Sequence, residues 1–110
     1  PALIKVAPGD TVKFVATDKS HNAETIKGML PDGGTTFAGK MNEDVAVKFD
    51  QAGIYGVKCA PHYAMGMVAM VVVGTPANEE QAKAIPQVGK AKQVFATLFE
   101  RLAANKTAAK

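Results

Sequence analysis

Over residues 1–74 each apolar stretch is cut off by turn residues before it could complete a full-length amphipathic helix. That punctuation restricts the segment to short strands. Ala2–Val6 runs into the turn Ala7-Pro8-Gly9-Asp10. Val12, Phe14 and Ala16 alternate with Lys13 and Val15, the period of a half-buried strand over Thr11–Thr17. Val45, Val47 and Phe49 alternate in the same way with Ala46 and Lys48. Asp50-Gln51-Ala52-Gly53 then turns the chain into Ile54–Cys59, and Met67–Val73 supplies a last, wholly apolar strand. Gly28, Pro31, Gly33, Gly34 and Gly39 mark a long loop between Lys27 and Asn42. Short strands at this spacing predict a β-sandwich rather than an α/β sheet.

From residue 75 the period changes. Pro76 and Asn78 precede Glu79-Glu80, an acidic first turn behind a capping residue, and Ile85-Pro86 interrupts the pattern. Beyond Gly89, Ala91, Val94, Phe95, Leu98 and Leu102 recur at helical spacing, with Lys92, Gln93, Glu100 and Arg101 on the other face. A short helix, a break and a longer amphipathic helix are predicted, with the tail Ala103–Lys110 fraying. The apolar stripe is narrow and the polar face mixed in sign, which favours packing on the sandwich over membrane binding. The expected fold is mainly β: residues 1–74 form the sandwich, and residues 75–110 form a helical extension packed on the same domain.

A chain of 110 residues leaves no room for a separate catalytic domain. Its net charge of +3 comes from scattered lysines, not a basic stripe interleaved with aromatics, so a nucleic-acid partner is not expected. The charge suits weak attraction to an acidic partner. No apolar run approaches the roughly 18 residues of a membrane span. With one cysteine, no intramolecular disulfide forms.

The chemistry concentrates in Cys59-Ala60-Pro61-His62-Tyr63-Ala64-Met65-Gly66-Met67. Taken singly, a lone cysteine and Met65, Met67 and Met70 read as packing residues, and His21 beside Asn22 as an exposed loop residue. Together they read differently. Thiolate and thioether are soft donors suited to copper, imidazole binds either copper oxidation state, and two His, one Cys and a weak axial Met form a blue-copper ligand set. His21, Cys59 and His62 supply the first three donors. The axial donor is Met65 or Met67. Gly66 frees the backbone to turn back towards the metal, and strand alternation sets Met67 on the core face with Ala69, Val71 and Val73, so Met67 is favoured.

Rival chemistries fail on counting. Structural zinc prefers more Cys and His and no Met. Covalent haem attachment needs a second Cys. A Cys–His nucleophile needs an oriented third partner, and a catalytic copper enzyme needs histidines beyond the two present. The expectation is therefore not an enzyme. An electron carrier or a copper-delivery protein remains.

Several stretches carry a family resemblance: Val6-Ala-Pro-Gly-Asp-Thr-Val12, Thr17-Asp-Lys-Ser-His-Asn22, Glu24-Thr-Ile-Lys-Gly28, Tyr55-Gly-Val-Lys-Cys-Ala-Pro-His-Tyr63 and Gly66-Met-Val68. With the two-helix extension, they resemble the cupredoxins, the type 1 blue-copper family, and within it the pseudoazurins. The resemblance implies a Greek-key sandwich holding one Cu(I)/Cu(II) ion through His21, Cys59, His62 and Met67. It implies that the backbone of Asn22 donates a hydrogen bond to the thiolate. It further implies a periplasmic, monomeric electron carrier serving redox proteins such as nitrite reductase or cytochrome c, without membrane or nucleic-acid binding. Pro61, Ala64 and Met65 would form an apolar contact around His62, ringed by Lys19, Lys27, Lys40 and Lys58. Members of that branch begin with a further strand ahead of the position of Pro1, which this sequence lacks.

Overall fold

The alternating segments resolve into two sheets in the computed structural model, which describes residues 2–15 and 21–108. Strands β1 (Ala2–Val6), β3 (Glu24–Thr25), β5 (Gly53–Lys58) and β6 (Val68–Val73) make a four-stranded sheet in the order β1-β6-β5-β3. Strands β2 (Asp10–Phe14) and β4 (Val45–Phe49) make a second, two-stranded one. β1 lies parallel to β6, with Leu3 opposite Met70 and Val6 opposite Val73. β5 runs antiparallel to β6, with Gly53 opposite Val73 and Lys58 opposite Val68. Helices α1 (Glu79–Ala84) and α2 (Lys90–Ala108) follow.

The continuous apolar run of β6 has a simple cause: both faces of this strand are covered. Val71 and Val73 face the two-stranded sheet and pack with Val47, Phe49, Tyr55 and Val57. Val68, Met70 and Val72 face the other way, onto Ala91, Phe95, Leu98 and Leu102 of α2. The helical stripe read from the sequence is thus the second cover of the sheet. Between the sheets, Phe49 is fully buried and meets Tyr55 edge-on at 4.8 Å and Phe37 edge-on at 6.3 Å, while Phe37 stacks on Phe14 at 5.5 Å. Phe37 comes from the long loop after β3, where no periodicity could announce a core residue.

Three local expectations are corrected. β2 ends at Phe14, and Val15 beyond it is 57% exposed; the part of that strand predicted at Ala16–Thr17 lies outside the described residues. α2 continues to Ala108, through most of the tail expected to fray. Asn78 stands at the start of α1, yet its side chain does not cap the helix. Its Nδ2 donates to the carbonyl of Ile54 at 3.0 Å and its Oδ1 accepts from the Ile54 amide at 2.8 Å. The reason lies in the sheet edge. β3 pairs only with Val57 and Lys58 of β5, so further along β5 the outward groups need other partners. Met29 and Ile26 take those of Gly56, and Asn78 takes those of Ile54.

Candidate metal centre

β5 delivers Cys59 to one end of the sandwich, where it is 3% exposed. The chain then coils through a 3-10 helix, Ala60–Met65, whose Pro61 occupies a first-turn position where an amide is not needed. Gly66 ends the coil in the left-handed region at φ 90°, a conformation costly for a residue with a Cβ. The loop closes on itself: the Cys59 amide donates to the Met67 carbonyl at 3.0 Å and the Met67 amide to the His62 carbonyl at 3.2 Å. Met67 is thereby held beside Cys59, and both line one recess of about 280 Å³ with Phe14, Asn22 and Val57.

His21 arrives from the opposite side, on the segment before β3. Its carbonyl accepts from the Asn42 amide at 2.8 Å, which ties it to the loop after β3. Its ring lies 4.7 Å from that of His62 at a tilt of 45°. His62 Nδ1 stands 3.6 Å from Cys59 Sγ. One ligand atom from each of His21, Cys59 and His62 lies within 4.8 Å of the other two. Three residues that sequence order separates are therefore gathered to the span of one metal ion. One thiolate and two imidazoles suit copper, and the donors are too few for a closed structural zinc site.

Asn22 links the two ligand segments through its side chain. Its Oδ1 accepts from the Ala60 amide at 2.8 Å, and its Nδ2 donates to Glu24 Oε1 and to the Gly39 carbonyl, each at 3.1 Å. Among the described residues, no hydrogen bond joins the Asn22 amide to the thiolate sulfur that the resemblance implied for it. This carboxamide bridge spans 38 residues and leaves no signal in the local sequence.

Around the centre, Met65 is 70% exposed and Met67 38%. Pro61, Ala64 and Met65 are exposed residues of the 3-10 helix, an apolar surface beside half-buried His62. Lys58 Nζ lies 4.9 Å above the Tyr63 ring, which places one positive charge next to the ligand loop. Lys19, expected in the same ring of lysines, lies outside the described residues. The Tyr63 phenol is pushed above its usual range by burial, partly offset by a hydrogen bond from the Val88 backbone.

The two thioethers are separable by experiment. If Met67 is the weak donor, Met67→Leu should raise the reduction potential and alter the copper spectrum. Met65→Leu should leave both unchanged, and the opposite pattern would make Met65 the axial residue.

Comparison with known proteins finds a family match over residues 1–74, to the copper-binding proteins of the plastocyanin/azurin family. The pseudoazurin of Methylorubrum extorquens is 56% identical over 86 residues, 77% of this chain and 58% of that protein. The pseudoazurin of Paracoccus pantotrophus is 47% identical over 94 residues, 84% of this chain and 65% of that protein. The chain thus spans less than two thirds of the length of these curated relatives. A solved pseudoazurin from Sinorhizobium meliloti superposes with a TM-score of 0.90 at 46% identity, covering 93% of this chain and 80% of that one.

Proposed function

The chain belongs to the plastocyanin/azurin family of copper-binding proteins, and from that premise we propose that it carries single electrons on one copper ion held by His21, Cys59, His62 and Met67. The observation that supports this most directly is the convergence of the first three ligand atoms within 4.8 Å. Copper, when bound, supplies one-electron exchange between Cu(II) and Cu(I). What the protein contributes is a donor set that does not have to move. Buried Cys59, hydrogen-bonded to Met67 through the backbone, keeps its sulfur away from water. The backbones of His21 and His62 are held by hydrogen bonds to Asn42 and Cys59, which fixes where both rings start from. In this reading residues 75–110 belong to the same domain as the sandwich, and the chain works as an electron carrier rather than an enzyme.

Half-buried His62, bordered by Pro61, Ala64 and Met65, is the contact through which an electron leaves. The partners in this proposal are periplasmic redox proteins, a nitrite reductase or a cytochrome c. Among the described residues no helix is long and apolar enough to cross a membrane.

Stoichiometric Cu(II) tests the reading. The protein should develop an intense visible thiolate-to-copper band and be reduced and reoxidised reversibly. A protein that holds only Cu(I) and surrenders it readily to a chelator would be a copper-delivery protein instead.

The placement of Lys58 carries a second expectation. Lys58→Glu should slow association with an acidic redox partner about two- to fivefold at low ionic strength, and the effect should vanish at high salt, where surface charges are screened. Stopped-flow rates independent of salt would remove electrostatic steering from the proposal.

A further inference from the structure

We propose that Gln87, in the connection between α1 and α2, is a positioning residue for the ligand loop and acts on it through Tyr63. The inference rests on the copper reading above. Tyr63 directly follows His62 on the 3-10 helix, where successive side chains diverge by about a third of a turn. His62 points to Cys59 while Tyr63 points to the helical layer. Fixing the Tyr63 ring therefore fixes the rotation of the coil, and with it the direction of His62.

Gln87 provides that anchor. Tyr63 Oη donates to Gln87 Oε1. The other end of the carboxamide is also occupied: Nε2 lies 3.5 Å from Met29 Sδ and 3.4 Å from the Ile85 carbonyl. Met29 is fully buried against Gly56, where the sulfur leaves no room for a Cβ. Gly56 lies on β5, the strand that leads into Cys59. One side chain thus links the coil bearing His62, through Met29, to the strand leading into Cys59. Two residues on, Gly89 at φ +53° lets the helical connection come directly against the ligand loop, since a Cβ there would collide with the Ala64 carbonyl. Gly66 approaches Val94 of α2 in the same manner. The helical extension is a clamp on the metal loop, and Gln87 is its polar contact.

Gln87→Leu preserves bulk and removes all three side-chain hydrogen bonds. Copper release from the loaded variant to a chelator should be about 3- to 10-fold faster than from the wild type, the range expected for the net loss of about one part-buried hydrogen bond. The ratio of its thiolate absorption bands should change, a signature that loss of global stability alone would not produce. Tyr63→Phe should give the same changes, and the double variant no more than either alone. In the metal-free protein, Gln87→Leu should speed amide exchange at residues 60–66 while the β5 and β6 amides keep their protection. Wild-type release rate, wild-type band ratio and unchanged exchange in both single variants would overturn the inference. Should the wild type show no thiolate band, the copper reading fails, and the exchange measurement on the metal-free protein still decides whether Gln87 holds the loop.

Discussion

Copper-loaded Cys59→Ser protein is expected to lose the visible thiolate band completely. Cys59 is the single cysteine of the chain, so no other sulfur can form the anionic bond from which that band arises. A hydroxyl is a hard donor with a pKa far above neutrality, and it neither replaces the thiolate charge nor favours Cu(I). Loss of a hydrogen bond behind a ligand already lowers metal affinity about 10- to 100-fold, so loss of a ligand itself should lower it by more than about 100-fold. The fold should survive. Serine is nearly isosteric with cysteine and leaves no cavity, and His62 Nδ1, 3.6 Å from the sulfur position, is a polar atom towards which the hydroxyl can shift. Equilibrium unfolding of the metal-free variant should lie within about 1 kcal/mol of the wild type. A variant that stays blue would show that Cys59 is not the ligand.

The largest effect on stability is expected far from the metal, at Asn78. Its carboxamide satisfies both the amide and the carbonyl of Ile54, in a position where Ile54 is fully buried and Asn78 only 9% exposed. Asn78→Ala leaves both backbone groups without a partner, each at a cost of roughly 1–3 kcal/mol. A loss of about 3 kcal/mol in urea unfolding is expected, a large part of the roughly 5–15 kcal/mol that a domain has in total. Asn78→Asp keeps the acceptor for the Ile54 amide but sets a carboxylate oxygen against the buried Ile54 carbonyl, so at neutral pH it should be destabilised at least as much. An alanine variant within 1 kcal/mol of the wild type would mean that water replaces the carboxamide at no cost. The spectrum of the copper form should be unaltered in either variant, because Asn78 bonds five residues upstream of Cys59.

Asn78 also separates what a sequence can announce from what it cannot. Its place before Glu79-Glu80 reads locally as a helix cap, and the acidic first turn does begin α1 there. Which backbone groups need a partner is decided by where β3 stops along β5, and Glu24 and Thr25 carry no alternation that would reveal a two-residue strand. The same holds for Phe37, a loop residue that completes the aromatic core between the sheets. It holds too for Gln87, whose partners Tyr63 and Met29 lie 24 and 58 residues away.

Residue types and short-range spacing alone determined a good deal. Alternation with period two yields β2 and β4, and apolar runs bounded by turns yield β5 and β6, because one or both faces of each strand must be apolar to be buried. The 3.6-residue stripe from Ala91 to Leu102 yields α2 for the same reason on a helix. Cys59, His62 and the two methionines within nine residues limit the chemistry to a soft metal, since ligand softness belongs to the side chain and not to its surroundings. Only the tertiary structure decided that His21, 38 residues upstream of Cys59, reaches the same point in space, and that an asparagine bridge joins its segment to the loop that begins at Cys59. Periodicity is written in neighbouring residues. A site assembled from distant segments exists only once the sheets and helices have packed.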